Sequence, residues 1–213
     1  MKIYRTVFNS YMVNTYLLLS ENKQAVIIDP AFANQQEWDI MNNKMLELGA
    51  SLQMALVTHA HADHVMGAAL LMKAYPKITF MMHKDSLPLY QDVNNYAMIM
   101  GFEKQEFPQP TQFYADNQQI DMDNLRLTIL STLGHAPGSV SVYSREDKVV
   151  FTGDALFRCS IGRTDLQGGS FDVLKQAIQQ KLYTLPDETL VLPGHGDAST
   201  IEFEKHYNPF VND

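Results

Sequence analysis

The sequence contains, at residues 58–64, the stretch Thr58-His59-Ala60-His61-Ala62-Asp63-His64. Four of these seven side chains are of types that commonly bind metals. The apolar run at residues 54–57 precedes them and is typical of a buried strand. His59 and His61 are two apart on extended backbone and share a face, whereas Asp63 and His64 enter a helix and can point elsewhere. The spacing therefore predicts two adjacent metal positions.

A single histidine is more often a surface residue or a satisfied core residue than a metal ligand. Three histidines with an aspartate at this spacing are different. Burying so many ionisable groups at a strand end without a metal would leave several without partners, at a cost of about a few kcal/mol each. We therefore predict that this stretch binds metal.

Three further candidate ligands follow later apolar runs. They are His135 within residues 132–138, Asp154 within residues 151–154, and His195 within residues 192–196. Each is flanked by glycine, which lets backbone approach closely or adopt positive φ where a turn directs a side chain into a site. Each motif is weak by itself, but in this order behind the first stretch the three indicate one metal site.

Hydrophobic patterning predicts a mixed α/β chain with helices outside two sheets packed face to face. The predicted helices are residues 35–49, about 64–75, 85–100 and 171–182, with Gly49 ending the first and Ser170 capping the last. The predicted strands are residues 2–8, 15–19, 25–29, 52–58, 78–83, 125–130, 139–144, 149–151 and 189–192. We find no repeat or linker that divides the chain, so residues 1–213 are expected to form one domain.

The ordered motifs resemble those of the metallo-β-lactamase superfamily over most of the chain. Within that superfamily, residues 151–157, 162–165, 193–196 and 204–210 resemble the glyoxalase II branch, particularly its short bacterial members. The resemblance implies a four-layer αββα sandwich with two metals. One would be held by His59, His61 and His135 and the other by Asp63, His64 and His195, with Asp154 bridging them. Zinc is expected first, although iron or manganese suits the same ligands.

The resemblance also implies a reaction. Two metals would activate a hydroxide to attack a carbonyl, with an open position at the site formed by His59, His61 and His135, and Asp63 would orient the water. A small acyl-thioester such as an acylglutathione is the expected substrate. The chain ends soon after His195, so we expect it to lack the helical domain with which full-length glyoxalase II helps bind glutathione. Arg163 resembles a basic residue that grips glutathione in the family, or it pairs with Asp165 to brace its loop.

Other activities stay open at this point. Residues 153–156 and 162–165 also resemble persulfide dioxygenases, in which one iron would use His59, His135 and Asp154. Lactam, lactone and phosphodiester hydrolysis use related sites, and a metal-free binding module on the same fold is a further alternative. Cys159 follows Asp154 in the same loop and is expected to be a bystander.

Composition limits the partners. With 46% hydrophobic and 19% charged residues, the 213-residue chain is typical of a soluble α/β domain, and no apolar run approaches a membrane span. The net charge of −8 argues against nucleic acid, because phosphate binding depends on clustered lysine and arginine. A single cysteine fits a reducing compartment. We expect a cytoplasmic enzyme acting on a small, anionic thioester.

Overall fold

The structure, a computed structural model, describes residues 1–211. Its first sheet has six strands in chain order: β1 (Lys2–Phe8), β2 (Val13–Leu19), β3 (Gln24–Ile28), β4 (Ser51–Leu56), β5 (Thr79–His83) and β6 (Gln112–Tyr114). The first three strands pair antiparallel, and β3 to β6 pair in parallel. Parallel pairing places the carboxyl ends of β3, β4 and β5 at one edge of the sheet.

The second sheet also has six strands, in the spatial order β14-β13-β10-β9-β8-β7. They are β7 (Gln119–Met122), β8 (Leu125–Ser131), β9 (Val140–Ser144), β10 (Val149–Gly153), β13 (Leu190–Pro193) and β14 (Ser199–Thr200). Strands β10 and β13 are parallel. Between them in sequence, β11 (Leu156–Phe157) and β12 (Ser160–Ile161) form a separate hairpin.

The helices lie on the outer faces of the sheets. They are α1 (Gln35–Leu48), α2 (Ala62–Val65), α3 (Ala68–Ala74), α4 (Leu87–Gln91), α5 (Val93–Ile99), α6 (Phe171–Ala177) and α7 (Ile201–Tyr207), with a 3₁₀ turn at Lys84–Ser86 and a π turn at Ile178–Leu182. Gly49 ends α1 in the left-handed conformation, and the Ser170 side chain caps α6 at the Val173 N–H. Both terminal signals confirm the sequence prediction.

Three buried apolar clusters separate four layers. The cluster between the sheets contains Leu18 and Ile28 from the first and Phe151 from the second. Met45 of α1 belongs to the cluster outside the first sheet, and Leu174 of α6 to the one outside the second. Strand β2 is buried on both faces, which explains the apolar run at its end, residues 16–19. The predicted αββα sandwich is confirmed.

Two predicted helices are interrupted. The predicted helix at residues 64–75 breaks at Met66–Gly67, where the Gly67 N–H donates to the Pro30 carbonyl at 2.7 Å. A Cβ on Gly67 would lie 2.4 Å from the Phe32 ring, so tertiary packing sets this break. The predicted helix at residues 85–100 divides into the 3₁₀ turn, α4 and α5, because Asp92 leaves helical geometry.

The prediction also missed several short elements: β6, β7, β11, β12, β14 and α7. Most of these have two to four residues, so their pattern is too short to identify, and pairing with a neighbouring strand defines them. None of the helices within residues 1–211 combines the length and apolar character that a membrane crossing needs.

Candidate metal centre

The seven predicted ligands meet at one edge of the sandwich, where strands end. His59 to His64 follow β4 and enter α2, His135 follows β8, Asp154 follows β10, and His195 follows β13. Strands β8, β10 and β13 run in the same direction, so their carboxyl ends share this edge. Two backbone hydrogen bonds join the sheets here. The Val140 N–H donates to the Thr58 carbonyl at 2.9 Å, and the Asn14 N–H donates to the Gly194 carbonyl at 2.7 Å.

The first ligand group consists of His59, His61 and His135. Their ring centroids are 4.5 to 4.8 Å apart, and His61 Nδ1 lies 2.9 Å from His135 Nε2. The nitrogen atoms that face each other all lie within 4.8 Å. These three imidazoles could hold one metal ion.

The second ligand group consists of Asp63, His64 and His195. Nε2 of His64 and Nε2 of His195 are 3.3 Å apart, and Asp63 Oδ2 lies 3.4 Å from the His195 nitrogen. These three ligand atoms also lie within 4.8 Å of one another. The group can therefore hold a second ion.

Asp154 lies between the two groups. Its Oδ1 is 3.3 Å from His64 Nε2, while its Oδ2 is 3.5 Å from His135 Nε2 and 3.5 Å from His195 Nε2. One carboxylate thus faces ligands of both groups. The backbone at Gly194 lies close to this carboxylate: a Cβ on Gly194 would lie 2.4 Å from Asp154 Oδ1.

Backbone carbonyls set the proton positions of two histidines. His135 Nδ1 lies 2.8 Å from the Arg163 carbonyl, and His195 Nδ1 lies 2.9 Å from the Tyr11 carbonyl. Because a carbonyl oxygen only accepts, each Nδ1 carries the hydrogen. Nε2 of each ring therefore faces into the site, where its lone pair can bind a metal once any proton on it is released.

A buried aspartate orients one ligand of each group. Asp29 Oδ2 accepts from the Thr58 hydroxyl at 2.7 Å and from His64 Nδ1 at 2.9 Å, and Asp29 Oδ1 accepts from the Thr58 N–H at 2.7 Å. Since its hydrogen is donated to Asp29, the Thr58 hydroxyl accepts from His59 Nδ1 at 3.1 Å. Both His59 and His64 then present Nε2 to the site.

The two groups differ in their affinity for protons. Burial lowers the pKa of His59, His61 and His135, with that of His61 at about 4, so these imidazoles are neutral at pH 7. Burial also opposes a proton on His64 and His195, but nearby carboxylates outweigh it. Chiefly through Asp154, they raise the pKa of His64 well above its usual value and that of His195 to about 9.

The donor set fits a cation. Within residues 1–211, His59 Nε2 and Asp154 Oδ1 are buried without a hydrogen-bond partner, although buried polar atoms normally have one. The facing Nε2 atoms of His64 and His195 can form a hydrogen bond only when one of them carries a proton and the other does not, whereas a metal ion satisfies both. Imidazole and carboxylate ligands suit zinc, iron or manganese.

The sequence prediction gave no role to Asp29 or Tyr11. Asp29 was the last residue of a predicted strand next to the one that leads into His59, and a carboxylate at that edge is a usable signal. Tyr11 contributes only its carbonyl, which no side-chain pattern reveals.

Arg163, a predicted substrate-binding residue, contributes its carbonyl to His135, while its guanidinium donates two hydrogen bonds of 2.8 Å to Asp165. Cys159 is exposed at the tip of the β11–β12 hairpin.

Sequence comparison identifies relatives of known description. A family model of the metallo-beta-lactamase superfamily matches residues 9–195. The probable metallo-hydrolase YqgX of Bacillus subtilis is 35% identical over 214 residues, which cover 100% of this chain and 98% of the relative. Hydroxyacylglutathione hydrolase GloC of Haemophilus influenzae is 34% identical over 206 residues, which cover 95% of this chain and 94% of the relative.

Solved structures share the fold over nearly the whole chain. BLEG-1 B3 metallo-beta-lactamase has a TM-score of 0.91 at 28% identity, covering 100% of both chains. TTHA1623 in a di-iron-bound form has a TM-score of 0.85 at 32% identity, with 97% and 99% covered. ETHE1 from Myxococcus xanthus has a TM-score of 0.80 at 29% identity, with 98% and 84% covered. From the family model, the relatives and the fold, the chain belongs to the metallo-beta-lactamase superfamily.

Proposed function

We propose that this chain is a metal-dependent hydrolase of a small acyl-thioester, such as an acylglutathione. The observation that carries the proposal is the pair of adjacent ligand groups that meet at one carboxylate. The similarity to hydroxyacylglutathione hydrolase GloC supports the thioester. Two divalent ions, most favourably zinc, would be held by His59, His61 and His135 and by Asp63, His64 and His195, with Asp154 shared between them.

When bound, the ions would supply a hydroxide nucleophile near neutral pH and stabilise negative charge on the carbonyl oxygen. The residues of the chain would position the reactants. Asp63 would accept a hydrogen bond from the attacking water and orient it, while Asp29 and the backbone carbonyls hold the imidazoles. Hydrolysis adds water across the carbon–sulfur bond and yields a carboxylic acid and a thiol, so it needs no serine or cysteine nucleophile.

The substrate is proposed to be anionic, and Arg163 is the candidate cation near the site. Its side chain is 61% exposed and is already paired in a bidentate manner with Asp165. A substrate carboxylate would therefore have to displace or share Asp165, and the pairing supports a loop-bracing role equally well. We also propose a cytoplasmic setting, which the single cysteine supports.

The alternative is an iron-dependent persulfide dioxygenase, with which the ETHE1 neighbour is compatible. That enzyme would use His59, His135 and Asp154, whose Oδ2 lies 4.0 Å and 3.5 Å from Nε2 of the two histidines. The second ligand group, Asp63, His64 and His195, favours the hydrolase. A mononuclear iron centre would not use these three residues as metal ligands.

One anaerobic experiment separates the two activities. Protein purified without added metal is analysed for metal, reconstituted with zinc or with iron, and assayed with an acylglutathione, glutathione persulfide and a lactam. The proposal predicts thioester cleavage without oxygen, and Asp63→Asn as the matched variant should lose most of that activity. Oxygen uptake with the persulfide and no thioester turnover would refute the hydrolase and support the dioxygenase.

A further inference from the structure

Glu204 of α7 is a fully buried carboxylate that the proposed reaction does not use. Its Oε2 accepts hydrogen bonds from the Cys159 N–H at 3.0 Å and from Asn208 Nδ2 at 2.9 Å, and its Oε1 accepts from the Ser199 hydroxyl. All three donors are neutral. A buried carboxyl group is costly unless hydrogen bonds satisfy its oxygens, and these three donors do so.

Asn208 extends the same contact. It is also fully buried, and its Nδ2 donates to the Ser160 carbonyl at 3.0 Å as well as to Glu204. Glu204 and Asn208, which we name the C-terminal clamp, therefore hold Cys159 at the tip of the β11–β12 hairpin and Ser160, the first residue of β12. Cys159 adopts a left-handed conformation there, with φ at 55°, which residues other than glycine seldom adopt.

The base of the same hairpin contacts the metal centre. Asp154 lies two residues before it in sequence, and Arg163, two residues beyond it, offers the carbonyl that accepts from His135 Nδ1 at 2.8 Å. The ring of Phe157 in β11 packs edge-on against the ring of His195, with centroids 6.1 Å apart. The hairpin thus contacts or continues into three candidate ligands, drawn from both groups.

The fit at this base is close. A Cβ on Gly162, directly after β12, would lie 1.9 Å from the Asp154 carbonyl and 2.9 Å from His135 Nδ1. The Gly162 backbone therefore packs directly against Asp154 and His135, which couples the position of the hairpin to that of these two candidate ligands. In metal sites the ligand distances lie within about 0.2 Å of their usual values.

Anchoring of α7 does not by itself require Glu204. Ile201 is fully buried in the apolar cluster outside the second sheet, and the Thr200 hydroxyl caps the helix at the Phe203 N–H. A side chain that only fastened the helix could be apolar, whereas an acceptor-only carboxylate matches the three donors around it. We propose that Glu204 and Asn208 are positioning residues, which hold the β11–β12 hairpin so that Asp154, His135 and His195 keep the spacing that two metals need.

This inference rests on the proposed metal centre, so its test measures metal directly in the full chain. Glu204→Gln replaces one acceptor oxygen by a donor. Asn208→Ala removes the two hydrogen bonds that Nδ2 donates, to Glu204 and to the Ser160 carbonyl, without placing a new donor there. Exposed Glu202→Gln, on the same helix, is the matched control. Zinc affinity is measured by competition with a chromophoric chelator, and ligand geometry by the visible absorption of the cobalt-substituted protein.

Each clamp variant is expected to bind zinc about tenfold more weakly and to show a changed cobalt spectrum, the scale found for residues that support metal ligands. Met45→Ala, at a buried position of α1, controls for lost stability. Its melting temperature should fall while its zinc affinity stays unchanged. Should either clamp variant fail to fold, the other supplies the measurement.

Three results are distinguishable. Weakened zinc binding and a changed cobalt spectrum in a clamp variant, with both controls normal, support the inference. Parental zinc affinity and cobalt spectrum in the clamp variants, with only the melting temperature lowered, would overturn it and leave the proposed function intact. If the parent chain binds no zinc, cobalt or iron, the proposed function fails together with the inference.

Discussion

The substitution Asp29→Asn tests how the metal centre is preorganised. Asp29 is 1% exposed, and its two oxygens accept three hydrogen bonds from Thr58 and His64. Asparagine has nearly the same shape and tolerates the left-handed conformation found here, with φ at 53°. The substitution therefore changes the hydrogen-bonding chemistry with little change in packing or backbone strain.

Either orientation of the new amide loses bonds. If its nitrogen replaces Oδ1, it faces the Thr58 N–H and leaves that buried donor unpaired, at a cost of about 1 to 3 kcal/mol in unfolding free energy. If it replaces Oδ2, it faces both the Thr58 hydroxyl and His64 Nδ1. The asparagine nitrogen and His64 Nδ1 would then both be donors. His64 can accept the new hydrogen bond only if its hydrogen moves to Nε2, the nitrogen proposed to bind metal.

We expect the metal-free variant to be less stable by about 1 to 3 kcal/mol and its zinc affinity to fall about 10- to 100-fold, which equals about 1.4 to 2.8 kcal/mol. Thermal unfolding and chelator competition measure the two quantities. Asp39→Asn, at an exposed position on α1, is the control. Two zinc ions bound at parental affinity by Asp29→Asn would refute the proposed orientation of His59 and His64.

Asp154→Ala should abolish stoichiometric binding of both metals, because its oxygens face both groups, and a variant with full metal content would exclude a bridging role. Arg163→Ala should raise KM for the best thioester about tenfold or more if the guanidinium binds a substrate carboxylate, with little change in stability. Unchanged KM in both Arg163→Ala and Arg163→Lys would remove this residue from the binding site. Zinc binding at pH 7 should release a proton from His195, whose pKa of about 9 keeps it protonated, whereas His61, at about 4, has none to lose. Affinity at the second group should accordingly rise with pH toward about 9. Calorimetry in buffers of different ionisation enthalpy counts the protons, and a count that is unchanged in His195→Ala would contradict the assignment.

The candidate ligands were predictable from the sequence because the chemistry is local there. Residues 58–64 concentrate ligand-type side chains where a strand meets a helix, and His135, Asp154 and His195 each follow an apolar run. Strand ends at a common sheet edge bring such residues together, as the structure does here. The longer elements were predictable for a similar reason, since β1 and α1 carry their own periodicity and α1 its own terminal signals.

Only the tertiary structure could establish how the site is supported. The carbonyls of Tyr11 and Arg163 accept from His195 and His135, and a carbonyl is common to every residue type, so no sequence pattern marks it. The break at Gly67 likewise depends on Pro30 and Phe32, far away along the chain. The sequence by itself determined which side chains can bind metal and that they would meet at a sheet edge. Their proton positions, spacing and support by the C-terminal clamp depend on contacts between distant residues, which exist only once the two sheets have packed.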